Sequence, residues 1–156
     1  DGGSKAAGEP HGDRVCVLRT SMIGRELHGA HGLLEWFLAA PDPVSGYAGA
    51  RFSGLTTPEL AALLVDLAGR AVPLEGLFHV AADPIDKASL LELLVPHYRP
   101  GTTIVRVAEP VIDRSLDGSR FRSATGYRAP SWPDLVAALA ADPAPYARWR
   151  APWQTA

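Results

Sequence analysis

Residues 14–24 read Arg-Val-Cys-Val-Leu-Arg-Thr-Ser-Met-Ile-Gly. The first six, Arg14 to Arg19, form a β-branched apolar run bounded by charge, which predicts a short buried strand. Thr20 to Gly24 then predicts a loop at that strand's carboxyl end. Gly76 to Ala81, Gly-Leu-Phe-His-Val-Ala, repeats the pattern. Both runs are apolar on two faces, as expected of inner strands in a parallel sheet covered by helices. Thr102 to Val107 predicts a third strand.

Helical patterns separate these runs. Gly32 to Ala40 has apolar residues at helical spacing and stops at Pro41. Thr57-Pro58-Glu59 reads as a helix start, with Thr57 as N-cap and Pro58 at the first helical position, leading into Leu60 to Gly69. Asp86 can cap a helix through Leu94 that presents Leu90, Leu91, Leu93 and Leu94 on its apolar face. Asp117 or Ser119 starts a short helix ending at Gly126-Tyr127, and Ser131 caps another from Trp132 to Ala141. Val44 to Phe52 predicts one or two short strands with a bend near Gly49. Strands alternating with helices define the α/β class. Residues 1–141 are taken as one unit, and 142–156 as a Pro/Ala/Arg/Trp-rich tail, either a docking arm or disordered.

Bulk properties exclude several function classes. The chain has 156 residues, 47% of them hydrophobic, enough for a core of its own. A net charge of −2 with 21% charged residues gives no electrostatic reason to expect nucleic acid or an anionic membrane as partner. Arg120, Arg122, Arg128, Arg148 and Arg150 with Trp149 and Trp153 could make a basic, aromatic surface, but Asp113, Asp117 and Asp142 lie among them. The single cysteine, Cys16, allows no intrachain disulfide and reads as a small buried apolar residue. No apolar run approaches a membrane span of roughly 20 residues, and no signal-peptide pattern opens the sequence, so a cytoplasmic location is expected.

Generic catalytic patterns are missing. The sequence has no glycine-rich dinucleotide or P-loop fingerprint after a strand, and no serine-hydrolase elbow. His28 and His31 lack a third ligand nearby, so no metal is expected. His79 reads as a hydrogen-bonded core histidine.

The order of segments is more specific. Leu18-Arg19-Thr20-Ser21-Met22-Ile23-Gly24 is followed by a helix and a glycine-rich β segment. Then come Phe52-Ser53-Gly54-Leu55-Thr56-Thr57-Pro58-Glu59-Leu60-Ala61, Gly76-Leu77-Phe78-His79-Val80-Ala81 and Asp113-Arg114-Ser115-Leu116-Asp117. Up to about Ala141 this succession resembles the dTDP-4-dehydrorhamnose reductase family of extended short-chain dehydrogenases. The resemblance implies the C-terminal, substrate-binding part of an NAD(P)-binding Rossmann-like enzyme, with the N-terminal nucleotide-binding half missing. It implies reduction of a nucleotide-linked 4-keto-6-deoxyhexose with hydride from NADPH or NADH. This chain by itself is expected to bind no cofactor and to be inactive, so whether it is an enzyme is left open. A homodimer, or a separate cofactor-binding half, would be its partner. An epimerase or dehydratase fragment, or a non-catalytic sugar-nucleotide binding module, is the alternative.

The resemblance also carries residue roles. Lys5 matches the lysine that holds the nicotinamide ribose and tunes a tyrosine four residues before it. Asp1 stands in that tyrosine's place. A phenol of pKa about 10 can be tuned to donate a proton near neutrality, whereas a carboxyl of pKa about 3.9 is already ionised. Thr20 and Ser21 would lie at the cofactor, because ligands of open α/β sheets sit beyond the carboxyl ends of strands. Met22, Ile23, Trp36, Thr56 and Arg114 fall on the substrate side. The family often reads Arg-Thr-Ser-Trp-Val-Tyr-Gly where this chain has Met22-Ile23-Gly24, so an aromatic wall is lost. Trp36 and Phe37 could face a nucleotide base, with core packing the competing and favoured reading. Arg114 could grip a diphosphate or pair with Asp113 or Asp117, and neither is preferred.

Overall fold

The computed structural model describes residues 2–10 and 12–150. In chain order the elements are α1 (Gly2–Ala7), β1 (Cys16–Arg19), β2 (Met22–Ile23), α2 (Leu33–Ala39), β3 (Val44–Tyr47), β4 (Ala50–Phe52), β5 (Leu55–Thr56) and α3 (Thr57–Ala68). There follow β6 (Gly76–His79), β7 (Ile85–Asp86), α4 (Lys87–Tyr98), β8 (Ile104–Val107), β9 (Ile112–Asp113), α5 (Ser119–Thr125), α6 (Trp132–Ala140) and α7 (Tyr146–Arg150).

The strands pair mostly in parallel, as the alternating pattern predicts. β1 runs beside β6 with Leu18 opposite Phe78, β2 beside β5, and β3 beside β8. β4 sits between antiparallel β7 and parallel β9. The bend near Gly49 is where β3 gives way to β4. A Cβ on Gly49 would collide with the Ala108 carbonyl.

The core lies between these strands and helices α2, α3, α4 and α6. Phe37, Leu34, Leu90, Leu94 and Phe121 are fully or almost fully buried, as are Leu55 from β5 and Leu135 from α6. Each such side chain contributes about 1.5–3 kcal/mol through the area it removes from water. Phe121 stacks edge-on against both Phe78 and Tyr127, which fastens α5 to β6. Trp132 closes the other end, its Nε1 donating to the Asp83 carbonyl at 2.7 Å.

Several boundaries differ from the sequence expectation, each for a local reason. β1 starts at Cys16 rather than Arg14, because Arg14 has φ 64° and cannot continue an extended run. Cys16 is exposed, not buried, since β1 pairs with β6 on one side and with no described strand on the other. Burial of its remainder pushes the thiol pKa up. Thr57 is not the N-cap of α3. Thr56 holds that position, with φ −75° and ψ 153°, because it is still paired with Ile23 in the β2–β5 ladder. The helix read as ending at Leu94 continues to Tyr98 with Pro96 in its last turn.

Asp86 does cap α4, accepting from the Ser89 N–H at 2.9 Å and the Ser89 hydroxyl at 2.7 Å. Burial alone would raise its pKa, but these bonds together with Arg106 at 3.2 Å outweigh it and hold the carboxyl below its ordinary value. Its stabilisation is therefore complete above the unfolded carboxylate pKa and is lost as pH falls through the lower folded one. Asp86→Ala should cost about 1 kcal/mol near neutrality, a typical cap loss. Urea midpoints of the variant and the parent should converge at acid pH. An equal gap at pH 7 and pH 2 would refute the cap assignment.

Candidate ligand site

Two adjoining cavities open where the parallel strands end. The first, about 230 Å³, is lined by Ser21, Met22, Ile23, Leu33, Arg51, Phe52, Lys87 and Arg114. The second, about 300 Å³, is lined by His31, Leu33, Trp36, Ser45, Tyr47, Lys87 and Leu91. Leu33 and Lys87 border both, so the two cavities lie side by side with Lys87 at the waist between them.

Backbone hydrogen bonds build the first cavity. The Leu55 N–H donates to the Ser21 carbonyl at 2.9 Å, and Gly54 beside it has no room for a Cβ against that carbonyl. This close approach draws the loop after β1 onto β5. The Arg114 N–H donates to the Arg51 carbonyl at 3.2 Å, extending the β4–β9 ladder and setting two arginines side by side. The second cavity takes its shape from strand alternation. Val44 and Gly46 face inward in β3, so Ser45 and Tyr47 face outward. Trp36 faces the same space from α2.

The side chains that line the first cavity include three cations and no carboxylate, although Asp86 and Asp113 stand opposite Arg51 on the neighbouring strands. Arg19, Arg25, Arg70, Arg106 and Arg150 each form an ion pair with a carboxylate. Arg51, Lys87 and Arg114 form none among the described residues. Arg114 does not pair with Asp113 or Asp117, because both carboxylates are already engaged locally. Asp113 takes the Ser115 hydroxyl at 2.5 Å and the Ser115 N–H at 2.9 Å, and Asp117 takes the Ser119 N–H at 2.8 Å. The Ser115 hydroxyl is the main cause, with its N–H and then Arg51 adding, that holds the Asp113 carboxyl below its usual range. Three cations thus converge on a cavity whose neighbour carries two aromatic rings. Such an arrangement suits an anionic ligand that bears a flat ring, with guanidinium forks matched to phosphate oxygens.

The residues marked by the sequence divide into those that meet here and those that do not. Ser21, Met22, Ile23, Arg114 and Trp36 line the site. Trp36 is not a core residue: it is 41% exposed while neighbouring Phe37 is fully buried, since one helical step of about 100° turns one ring inward and the other out. Thr56 lines neither cavity. It is completely buried in β5 and its hydroxyl has no hydrogen-bond partner among the described residues. The Thr20 hydroxyl is engaged with the Val80 carbonyl at 2.9 Å and the Ser21 carbonyl at 3.1 Å, tying β1 to the end of β6. Asp1 and the Lys5 side chain lie outside the described residues. Arg51, Lys87, Tyr47 and Ser45 carry no motif that marks them. The outward phase of the Val44–Phe52 alternation is the signal that finds Tyr47 and Ser45.

Other groups can be set aside. Tyr127 donates to Glu59 at 2.8 Å, and burial first, then that bond, push its phenol well above its ordinary pKa, so it holds its proton. Among the described residues no group of three or more metal-ligating side chains converges, and no helix is long and apolar enough to cross a membrane.

Comparison of the whole fold with solved structures is decisive for its class. A dTDP-4-dehydrorhamnose reductase from Bacillus anthracis, solved with NADP, matches 81% of this chain at 12% identity with a TM-score of 0.67. The fold is shared with dTDP-4-dehydrorhamnose reductase. A hypothetical reductase of the same name from Sulfolobus tokodaii matches 84% at 21% identity, TM-score 0.60. The enzyme WbmG of Bordetella bronchiseptica, in complex with NAD and UDP, matches 88% at 17% identity, TM-score 0.58. The chain spans 48%, 50% and 43% of these three chains respectively, about half of each. No protein-family model and no curated protein sequence matches it. The α/β, Rossmann-like class expected from the sequence is therefore the observed one.

Proposed function

We propose that this chain is the sugar-nucleotide side of an NAD(P)H-dependent reductase that acts, like dTDP-4-dehydrorhamnose reductase, on a 4-keto-6-deoxyhexose carried by a nucleoside diphosphate. The observation that carries this reading is the pair of arginines joined through their backbone, Arg51 and Arg114, which form no ion pair among the described residues and line the cavity that adjoins an aromatic-walled one. In this reading the two guanidinium groups grip the diphosphate and Lys87 covers it at the waist. Trp36 and Tyr47 take the base. Ser21, Met22 and Ile23 form the floor under the sugar. The WbmG structure with UDP makes a uridine or thymidine diphosphate the natural probe.

The described residues do not fit a dinucleotide. The sequence has no strand followed by a glycine-rich turn, and the Thr20 hydroxyl is already engaged with backbone carbonyls. NADPH or NADH would be held by a cofactor-binding half outside this sequence, seated in this reading along the edge of β1 that has no described neighbour. Exposed Cys16 and the lack of a second described neighbour for that strand support this placement. Lys5 keeps its family role only in such an assembly. Asp1, where the family has its proton donor, favours a second reading, a non-catalytic sugar-nucleotide binding module. Both readings require nucleotide binding, and they part on turnover once the cofactor half is present.

Isothermal titration of the full chain should give one-to-one heats with UDP or dTDP and none with NADPH. Absence of heat with both nucleotides at millimolar concentration would sink the proposal. Micromolar NADPH binding would overturn the need for a second half.

A further inference from the structure

Glu35 is a charged residue buried to 5% exposure in α2, and it touches neither cavity. Two arginines from opposite ends of the chain meet it. Arg25 Nε donates to Oε1 at 2.5 Å, and Arg150 Nη1 lies 3.0 Å from Oε2. The same Arg150 fork donates to two backbone carbonyls of the loop before α2, to Glu26 at 2.5 Å and to Gly29 at 2.9 Å. Glu26 in turn accepts from the N–H groups of His31, at 3.0 Å, and Gly32, the residue that opens α2. Tyr146 of α7 completes the contact. Its ring lies 5.6 Å from the Arg25 guanidinium and its hydroxyl donates to Asp142 at 2.9 Å.

We propose that Arg150 is a positioning residue. It pins residues 25–32 so that His31, Leu33 and Trp36 stand as one wall of the larger cavity. Charge count and the reach of the fork assign this role. Glu35 has two guanidinium partners, so without Arg150 the buried carboxylate is still neutralised by Arg25, and the fold survives. What is lost is the pair of carbonyl bonds that no other side chain among the described residues supplies to this loop. A planar guanidinium can satisfy a carboxylate and two carbonyls together, and a lysine ammonium on its flexible stem cannot reproduce that fork. A helix more than a hundred residues away in sequence thereby sets the order of a loop that faces the ligand.

The inference rests on the nucleotide reading above, and the experiment separates the two. Hydrogen exchange of the ligand-free full chain should show the amides of residues 31–36 exchanging about tenfold faster in Arg150→Ala, with α4 and α6 unchanged, as for a local opening. UDP should bind the variant about tenfold more weakly, a difference of about 1.4 kcal/mol. Inorganic pyrophosphate, which reaches only the Arg51–Arg114 end, should bind it as it binds the parent. Arg150→Lys should fall between the two in both measurements. Unchanged exchange, or equal losses for UDP and pyrophosphate, would overturn the positioning role. A parent chain that binds no UDP refutes the nucleotide reading instead, and the exchange arm still decides whether Arg150 orders the loop.

Discussion

Replacing Arg51 and Arg114 together with alanine should weaken UDP binding by at least about 100-fold while leaving the urea midpoint within about 0.5 kcal/mol of the parent. Each guanidinium offers charge-assisted bonds worth about 1.5–3 kcal/mol to a phosphate oxygen, so two of them supply the 100-fold loss. Stability is spared because both side chains are exposed and neither has an ion-pair partner among the described residues. The link between the two residues runs through backbone atoms, from the Arg114 N–H to the Arg51 carbonyl, which alanine retains. The test is a titration of each single variant and the double, alongside urea unfolding. Binding that survives the double substitution would remove the diphosphate from this end of the site. A large stability loss would mean that the arginines serve the fold.

How much of this was legible in the sequence depends on which force sets each feature. The α/β class follows from periodicity, and the helices of residues 57–68, 87–98 and 132–140 appear where apolar spacing calls for them, the first starting one residue early and the second running four residues past the expected end at Leu94. Ser131 and Asp86 cap because a short acceptor before an apolar helix has one good use, an orphan N–H of the first turn. Features set by long-range pairing were not legible. Thr57 has the right chemistry for a cap, yet the β2–β5 ladder holds Thr56 extended and shifts the helix start by one position. Cys16 reads as buried because local composition cannot reveal that β1 has a single described neighbour. The site shows the same division. Ser21, Met22 and Ile23, marked by the rule that ligands gather at strand ends, do line a cavity. Arg51 could not be so marked, because its significance arises only when β9 brings Arg114 beside it from 63 residues away in sequence.

Trp36 and Phe37 sharpen that lesson into a paired experiment. Adjacent in sequence and similar in chemistry, they should behave oppositely. Phe37 is fully buried, and α2 is further fixed by Arg99, whose guanidinium lies 5.3 Å from the Phe37 ring and whose Nη1 donates to the Phe37 carbonyl at 2.7 Å and the Ala40 carbonyl at 2.8 Å. Phe37→Ala should cost about 3–5 kcal/mol, the usual loss for emptying an aromatic core position. That is a large fraction of the 5–15 kcal/mol typical of a whole domain. The variant should unfold at markedly lower urea, and loss of nucleotide binding would follow from loss of structure. Trp36→Ala removes a ring that stands at the cavity wall and supports little of the core. Its urea midpoint should move by less than about 0.5 kcal/mol, as for an ordinary surface change. Its affinity for UDP should fall by about tenfold, in line with about 1–3 kcal/mol for stacking one base on an aromatic ring. Pyrophosphate, which has no base, should bind the Trp36 variant unchanged. If the tryptophan variant lost stability and kept UDP affinity, α2 would face the core with the wrong ring, and the base would have to lie elsewhere.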